Sequence, residues 1–142
     1  MTDIQPHFKP RVAFAFTPTD VHNFTEGDCW ILAHAIREIT GWDVVAVGSQ
    51  AAFDAATRPR EREWSHMLVR HPSGMLLDIT GAYTDEEIVY NLYGYIGMEG
   101  LTYTANDPED LDAAGTPTFG VPARRVESIA RSIIHQSHRN IG

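Results

Sequence analysis

Apolar positions along the chain fall into short, distinct patterns separated by turn residues. Val12, Phe14 and Phe16 alternate with other residues and predict a strand over Arg11 to Phe16. Thr17-Pro18-Thr19-Asp20 closes that strand with turn chemistry. The period then lengthens. Leu32, Ile36 and Ile39 recur at i, i+4 and i+7, with Ala33 and Ala35 as small packing residues, which predicts an amphipathic helix from Glu26 to Thr40. Thr25, with Asp28 three residues later, supplies a capping signal at its start, and Gly41 sits where a left-handed stop belongs.

Further on, Val44 to Val47 reads as a short β-branched strand, and the polar stretch Ser49 to Glu63 as a loop with a helical turn at Ala51 to Ala56. Trp64 to His71 and Met75 to Thr80 flank Pro72-Ser73-Gly74, a three-residue connection ending in glycine that suits a hairpin. A helix starts at Thr84-Asp85-Glu86-Glu87 and runs to about Tyr93. Leu101 to Thr104 forms another strand, Asn106 to Gly120 an acidic loop, and Pro122 to Gln136 a last amphipathic helix turning Val126, Ile129, Ile133 and Ile134 inward. This order of elements predicts an α+β fold, helices on a mainly antiparallel sheet.

The 142 residues suit one domain spanning 1–142, long enough to bury a core without disulfides or metal. Lys and Arg number 11 against 19 Asp and Glu, a net charge of −8 that argues against a nucleic-acid partner. No window approaches the roughly 20 apolar residues of a membrane span. Met1 to Pro10 lacks the apolar stretch of a signal peptide, so the expectation is a cytoplasmic protein or one exported without a cleavable signal. Cys29 is the one cysteine, which excludes an intramolecular disulfide and a multi-cysteine zinc site. It remains a buried structural thiol, a reactive thiol or a single metal ligand.

The chemistry centres on that residue. A cysteine in the first turn of a helix meets unpaired N–H groups and about half a positive charge, which favour a thiolate and can hold a developing oxyanion. The structural alternative is a small buried hydrophobe beside Leu32, Ala33 and Ile36. With a turn at Pro72 to Gly74, His71 pairs with Met75, Leu68 with Asp78 and His66 with Thr80. His66 and Asp78 then become diagonal neighbours on one face, about 7–8 Å apart at the backbone. The opposite face, Met67, Val69, Met75, Leu77 and Ile79, is apolar and belongs to the core, which leaves His66 and Asp78 on a polar face. A general base and the carboxylate that orients it need this relation, and so does an ordinary surface His–Asp pair.

Gly27-Asp28-Cys29-Trp30 resembles the Gly-x-Cys-Trp segment of papain-like peptidases and transglutaminases. The compact order Cys29, His66, Asp78 is similar to the transglutaminase-like and peptidoglycan-amidase-like branches of that superfamily, and Leu77-Asp78-Ile79-Thr80 resembles the Asp-bearing strand of the former. The likeness covers about Asn23 to Thr80. It implies a papain-like fold with the cysteine helix packed on the sheet, a Cys29–His66–Asp78 triad, and Asn23, six residues before Cys29, as an oxyanion-hole side chain. Met67 stands where transglutaminases soon follow the histidine with tryptophan, and Trp30-Ile31-Leu32 replaces the Ser-Gly pair of the amidase branch. These departures leave the substrate open.

Two functions follow as expectations. One is a cysteine hydrolase or acyltransferase acting on a peptide, isopeptide or glutamine side-chain amide, with a protein or peptide substrate and no cofactor. The other is a catalytically silent protein of the same fold that binds another protein. His22, His34, His71, His135 and His138 do not form a convincing metal pattern: His135-x-x-His138 has helical spacing and no acidic partner nearby. Tyr83, Tyr90, Tyr93, Tyr95 and Tyr103 read as core and rim, and no glycine-rich phosphate loop follows a strand.

Overall fold

A computed structural model describes residues 7–94, 97–107, 109–110 and 119–141. Its sheet is built from β1 (Val12–Ala13), β2 (Val44–Ser49), β3 (Trp64–Arg70), β4 (Leu76–Asp78), β5 (Gly81–Tyr83) and β6 (Gly100–Thr104). They lie in the order β1-β5-β4-β3-β2-β6, every neighbour antiparallel. The helices are α1 (Pro18–Glu26), α2 (Cys29–Thr40), α3 (Gln50–Ala55), α4 (Asp85–Tyr93) and α5 (Ala123–Asn140). The class is α+β, as the element order predicts. No described helix is long and apolar enough to cross a membrane.

Val44-Val45-Ala46-Val47 is apolar without alternation because β2 is covered on both faces. Val44 and Ala46 share one core with Met67, Val69, Leu77 and Ile79, beneath α2 and α5, whose Leu32, Ile36, Ile129 and Ile133 are buried against them. Val45 and Val47 join Leu68, Leu76, Tyr83, Ile88 and Tyr93 in a second core beneath α4. Burying a Val, Leu or Ile side chain contributes about 1.5–3 kcal/mol, so both faces of the central strands carry substantial stabilisation.

That second layer corrects one expectation. The strand face that Leu68 and Leu76 share is not polar, because Ile88 and Tyr93 of α4 pack on it, and His66 and Asp78 are themselves buried, Asp78 beside Cys29, Leu32 and Ala33 of α2. Thr84 anchors α4 through a reciprocal capping box with Glu87.

Three segments differ from the pattern reading. Only Val12–Ala13 of the predicted Arg11–Phe16 strand pairs, because its partner β5 is itself three residues long. Thr17-Pro18-Thr19-Asp20 starts α1 instead of making a turn: Thr17 Oγ1 accepts the Asp20 N–H at 3.2 Å, and Pro18 occupies the first helical position, where no N–H is missed. The helix predicted over Glu26–Thr40 starts only at Cys29, and Glu26 is the last residue of α1. Thr25 lies inside α1 with its hydroxyl donating back to Val21 O at 2.7 Å, so it caps nothing.

The hairpin starts in the predicted register, with Arg70 opposite Leu76, Val69 opposite Leu77, and the His71 N–H donating to Met75 O at 2.8 Å, but the predicted pairs Leu68–Asp78 and His66–Thr80 do not form. Met75 to Thr80 is not a single return strand, however. The chain reverses over Ile79 and Thr80, and Gly81 pairs with Asp78 to open β5. Gly81 has φ +148°, and a Cβ there would lie 2.0 Å from Val12 O, so glycine lets β1 close on this turn. The polar stretch after β2 holds α3 and a short 3₁₀ turn at Pro59–Glu61. Gly41 ends α2 with φ +78°, as expected. Ile39, expected on the core side, is exposed. Most of the predicted acidic loop, residues 111–118, and Tyr95 lie outside the described residues.

Candidate catalytic site

The break between α1 and α2 places Cys29 as the first residue of its helix. The Gly27 and Asp28 N–H groups both donate to Asn23 O, the latter at 3.0 Å, which turns the chain out of α1. Asp28 O then accepts from the Ile31 and Leu32 N–H groups at 3.1 and 3.2 Å and starts α2. The Asp28 carboxylate makes no capping bond. It is fully buried and accepts the Phe119 N–H at 3.1 and 3.3 Å. Among the described residues, the Cys29 and Trp30 backbone N–H groups therefore have no acceptor. They carry the positive end of the α2 dipole, a place where negative charge is stabilised.

From the sheet, β3 supplies His66 and the end of β4 supplies Asp78. Pairing between β3 and β4 covers Arg70–Leu76 and Val69–Leu77, so His66 lies beyond the paired stretch and its ring meets side chains. His66 Nε2 donates to Asp78 Oδ2 at 2.8 Å. The second carboxylate oxygen, Oδ1, accepts from the Thr80 N–H at 2.8 Å, the Thr80 hydroxyl at 2.5 Å and the Gly81 N–H at 3.2 Å. Because Thr80 gives its hydroxyl proton to Asp78, the Tyr83 O–H donates to Thr80 Oγ1 at 2.7 Å. Asp78 thus faces four donors, which fixes its orientation and that of the imidazole it holds.

Burial favours neutral His66, but hydrogen bonds and charge interactions from Asp78 and Cys29 outweigh it and push its pKa up to about 10. Burial acts against the Asp78 charge in the same way. The hydrogen bond and charge of His66, with the Thr80 bonds, overcome it and hold the carboxyl below its usual range. Tyr83 is pushed up to about 12 by burial and by the Asp78 charge. The arrangement is a buried acid–base chain in which Nε2 is committed to Asp78 and Nδ1 is left for Cys29.

Cys29, His66 and Asp78 are 4%, 5% and 7% exposed, and the cavity that Cys29 and Asp78 line has a volume of about 10 Å³. That is about the space of one water.

Of the residues singled out from sequence, Cys29, His66 and Asp78 come together. Asn23 lies in the last turn of α1, where its carbonyl shapes the turn into Cys29, and its side chain makes no hydrogen bond among the described residues. The other histidines are scattered. The His22 ring lies 5.6 Å from Phe119, His71 Nδ1 binds the Ser73 N–H, and His138 stacks edge-on with Trp42. No group of three or more His, Cys, Asp or Glu gathers to hold a metal ion among the described residues. Sequence reasoning missed Thr80 and Tyr83. The local pattern Asp78-x-Thr80 carries the signal for Thr80, an aspartate accepting from the backbone two residues on, whereas Tyr83 is found only through the β4–β5 turn.

Comparison with protein-family models, curated proteins and solved structures finds no match to this chain.

Proposed function

We propose that this protein is a cysteine-dependent hydrolase or acyltransferase of papain-like fold that acts on an amide of a protein or peptide. The observation that carries the reading is the buried chain from Cys29, first residue of α2, to His66 and on to Asp78. Helix α2 packed across β3 with its cysteine at the N-terminus supports the papain-like comparison.

In this reading the Cys29 proton already rests on His66 Nδ1, as the raised His66 pKa favours, and Sγ bonds to the amide carbonyl carbon. Asp78 stabilises the imidazolium that results. The free N–H groups of Cys29 and Trp30 receive the oxyanion, with Asn23 as an added donor. When the C–N bond breaks, His66 returns its proton to the leaving nitrogen and Cys29 is left as a thioester. Water or an amine then attacks the thioester carbonyl, with His66 taking the incoming proton, and the thiol is regenerated.

One observation favours a second reading, a silent protein of the same fold that binds another protein. The space beside the thiol is about 10 Å³, too small for a substrate group. The test joins turnover to thiol chemistry. N-acetylated peptide coumarin amides and glutamine peptides are offered to wild-type and Cys29→Ala protein, while iodoacetamide labelling of wild type is compared with His66→Ala. Turnover lost in Cys29→Ala, with labelling slowed in His66→Ala, is the expected result. No turnover, with labelling indifferent to His66 in folded protein, selects the silent reading.

A further inference from the structure

A groove of about 580 Å³ runs between α2 and the start of α5, away from the sheet and built without Cys29, His66 or Asp78. Its volume lies within the range of sites for small ligands and short peptide segments. Helix α2 contributes Trp30, Ile31, His34 and Glu38, and α5 contributes Val126 and Glu127. Trp30, His34 and Glu38 are spaced four residues apart, so they form a ladder up one helix face with about 6 Å between rungs.

The rungs differ in chemistry. Trp30 Nε1 and His34 Nε2 are buried and have no hydrogen-bond partner among the described residues. An unpaired buried donor is costly, so a carbonyl parting the groove wall at this end gains a bond that the empty protein lacks. At the other end, Glu38 has no ion-pair partner among the described residues. The neighbouring Arg37 is turned away to Gly41 O, Trp42 O and Asp43, and Arg131 is engaged by Glu127. Burial and the Arg37 charge, against Glu38, lower the His34 pKa and keep the imidazole neutral, able to accept or donate. Between the ends the wall is apolar. The net charge of −8 draws cations towards the whole molecule.

We propose that this groove binds a peptide segment carrying a lysine or arginine side chain, its cation on Glu38 and a backbone carbonyl at Trp30. The aliphatic stem of such a side chain lies over Ile31 and Val126. Trp30 to Glu38 spans about 12 Å along the helix, the reach of about four extended residues. A neutral peptide leaves Glu38 unpaired, and an acidic one is repelled by Glu38 and Glu127.

The test titrates ¹⁵N-labelled protein with acetyl-Ala-Ala-Arg-amide, acetyl-Ala-Ala-Glu-amide and acetyl-Ala-Ala-norleucine-amide and follows the three indole N–H signals. The basic peptide should shift the Trp30 signal saturably, at least tenfold more tightly than either of the others, and leave Trp42 and Trp64 unchanged. Glu38→Gln, at an exposed position, should abolish the preference for the basic peptide. Trp30→Phe, followed through the backbone amide signals of Ile31 and Glu38, should weaken the basic and neutral peptides alike. Cys29→Ala should bind as wild type does, which separates this site from the proposed catalytic one. An unshifted Trp30 signal, equal affinity for the basic and neutral peptides, or a preference that survives Glu38→Gln overturns the proposal.

Discussion

Asp78→Asn tests the coupling of the buried chain most directly, because the substitution keeps shape and changes only charge and proton inventory. The asparagine carbonyl can take over the Oδ1 bonds from Thr80 and Gly81. The amide nitrogen then replaces Oδ2, where it meets His66 Nε2 donor to donor. His66 must switch tautomer to accept there, which points an Nδ1 proton at Cys29 and removes the lone pair that takes the thiol proton. The magnitude follows from the raised His66. A change from 6.5 to about 10 corresponds to about 5 kcal/mol favouring the imidazolium, shared between Asp78 and Cys29. Forfeiting about half of this, roughly 2–3 kcal/mol, matches the low end of the cost of breaking a buried charged pair. Iodoacetamide labelling of Cys29 at pH 7 should therefore slow by about 30- to 160-fold. The melting temperature should fall by about 10 °C in a chain of this size. Labelling is followed by intact mass at a temperature where circular dichroism shows both proteins folded. An unchanged labelling rate in folded Asp78→Asn protein refutes the coupling and leaves His66–Asp78 as a structural pair.

Two further outcomes follow. His66 has its pKa raised in the folded state, so the stability it contributes is fully present below about pH 6.5 and is lost as pH rises through about 10; Asp78, held below the usual carboxylate range, stays charged throughout this window. The melting-temperature gap between wild type and His66→Gln should thus be widest near pH 6 and close towards pH 10, and a gap that widens with pH contradicts the assignment. Gly81→Ala sets a Cβ against Val12 O at 2.0 Å in a backbone with φ +148°, and should cost more than about 1 kcal/mol, with amide exchange at Arg11 and Phe14 accelerating first because their N–H groups bond to Ala82 O and Thr80 O. Slow exchange at those two amides in the variant would show that β1 tolerates the side chain.

Local patterns along the chain were enough for several parts of the molecule. The stop of α2 at Gly41, the register of the β3–β4 hairpin and the start of α4 at Thr84 each depend on residues within a few positions of one another. The same holds for placing His66 and Asp78 side by side, because a hairpin turn of known length sets which residues oppose. Tertiary structure decided the rest. Thr25 and Asp28 match a capping motif, yet the helix breaks between them because Asn23 O takes the Gly27 and Asp28 N–H groups and Asp28 spends its carboxylate on Phe119, 91 residues away. The sheet face carrying His66 looked polar because alternation reports one strand at a time. Whether the His66–Asp78 pair is covered depends on packing partners distant in the chain: Phe24 of α1 and Cys29, Leu32 and Ala33 of α2 line the small cavity beside Asp78, and His66 and Asp78 are both buried. The nearness of Cys29 to His66 likewise depends on how α2 lies across β3. Short-range periodicity encodes which side of an element is apolar, while the choice of what covers that side is made by the collective burial of the whole chain.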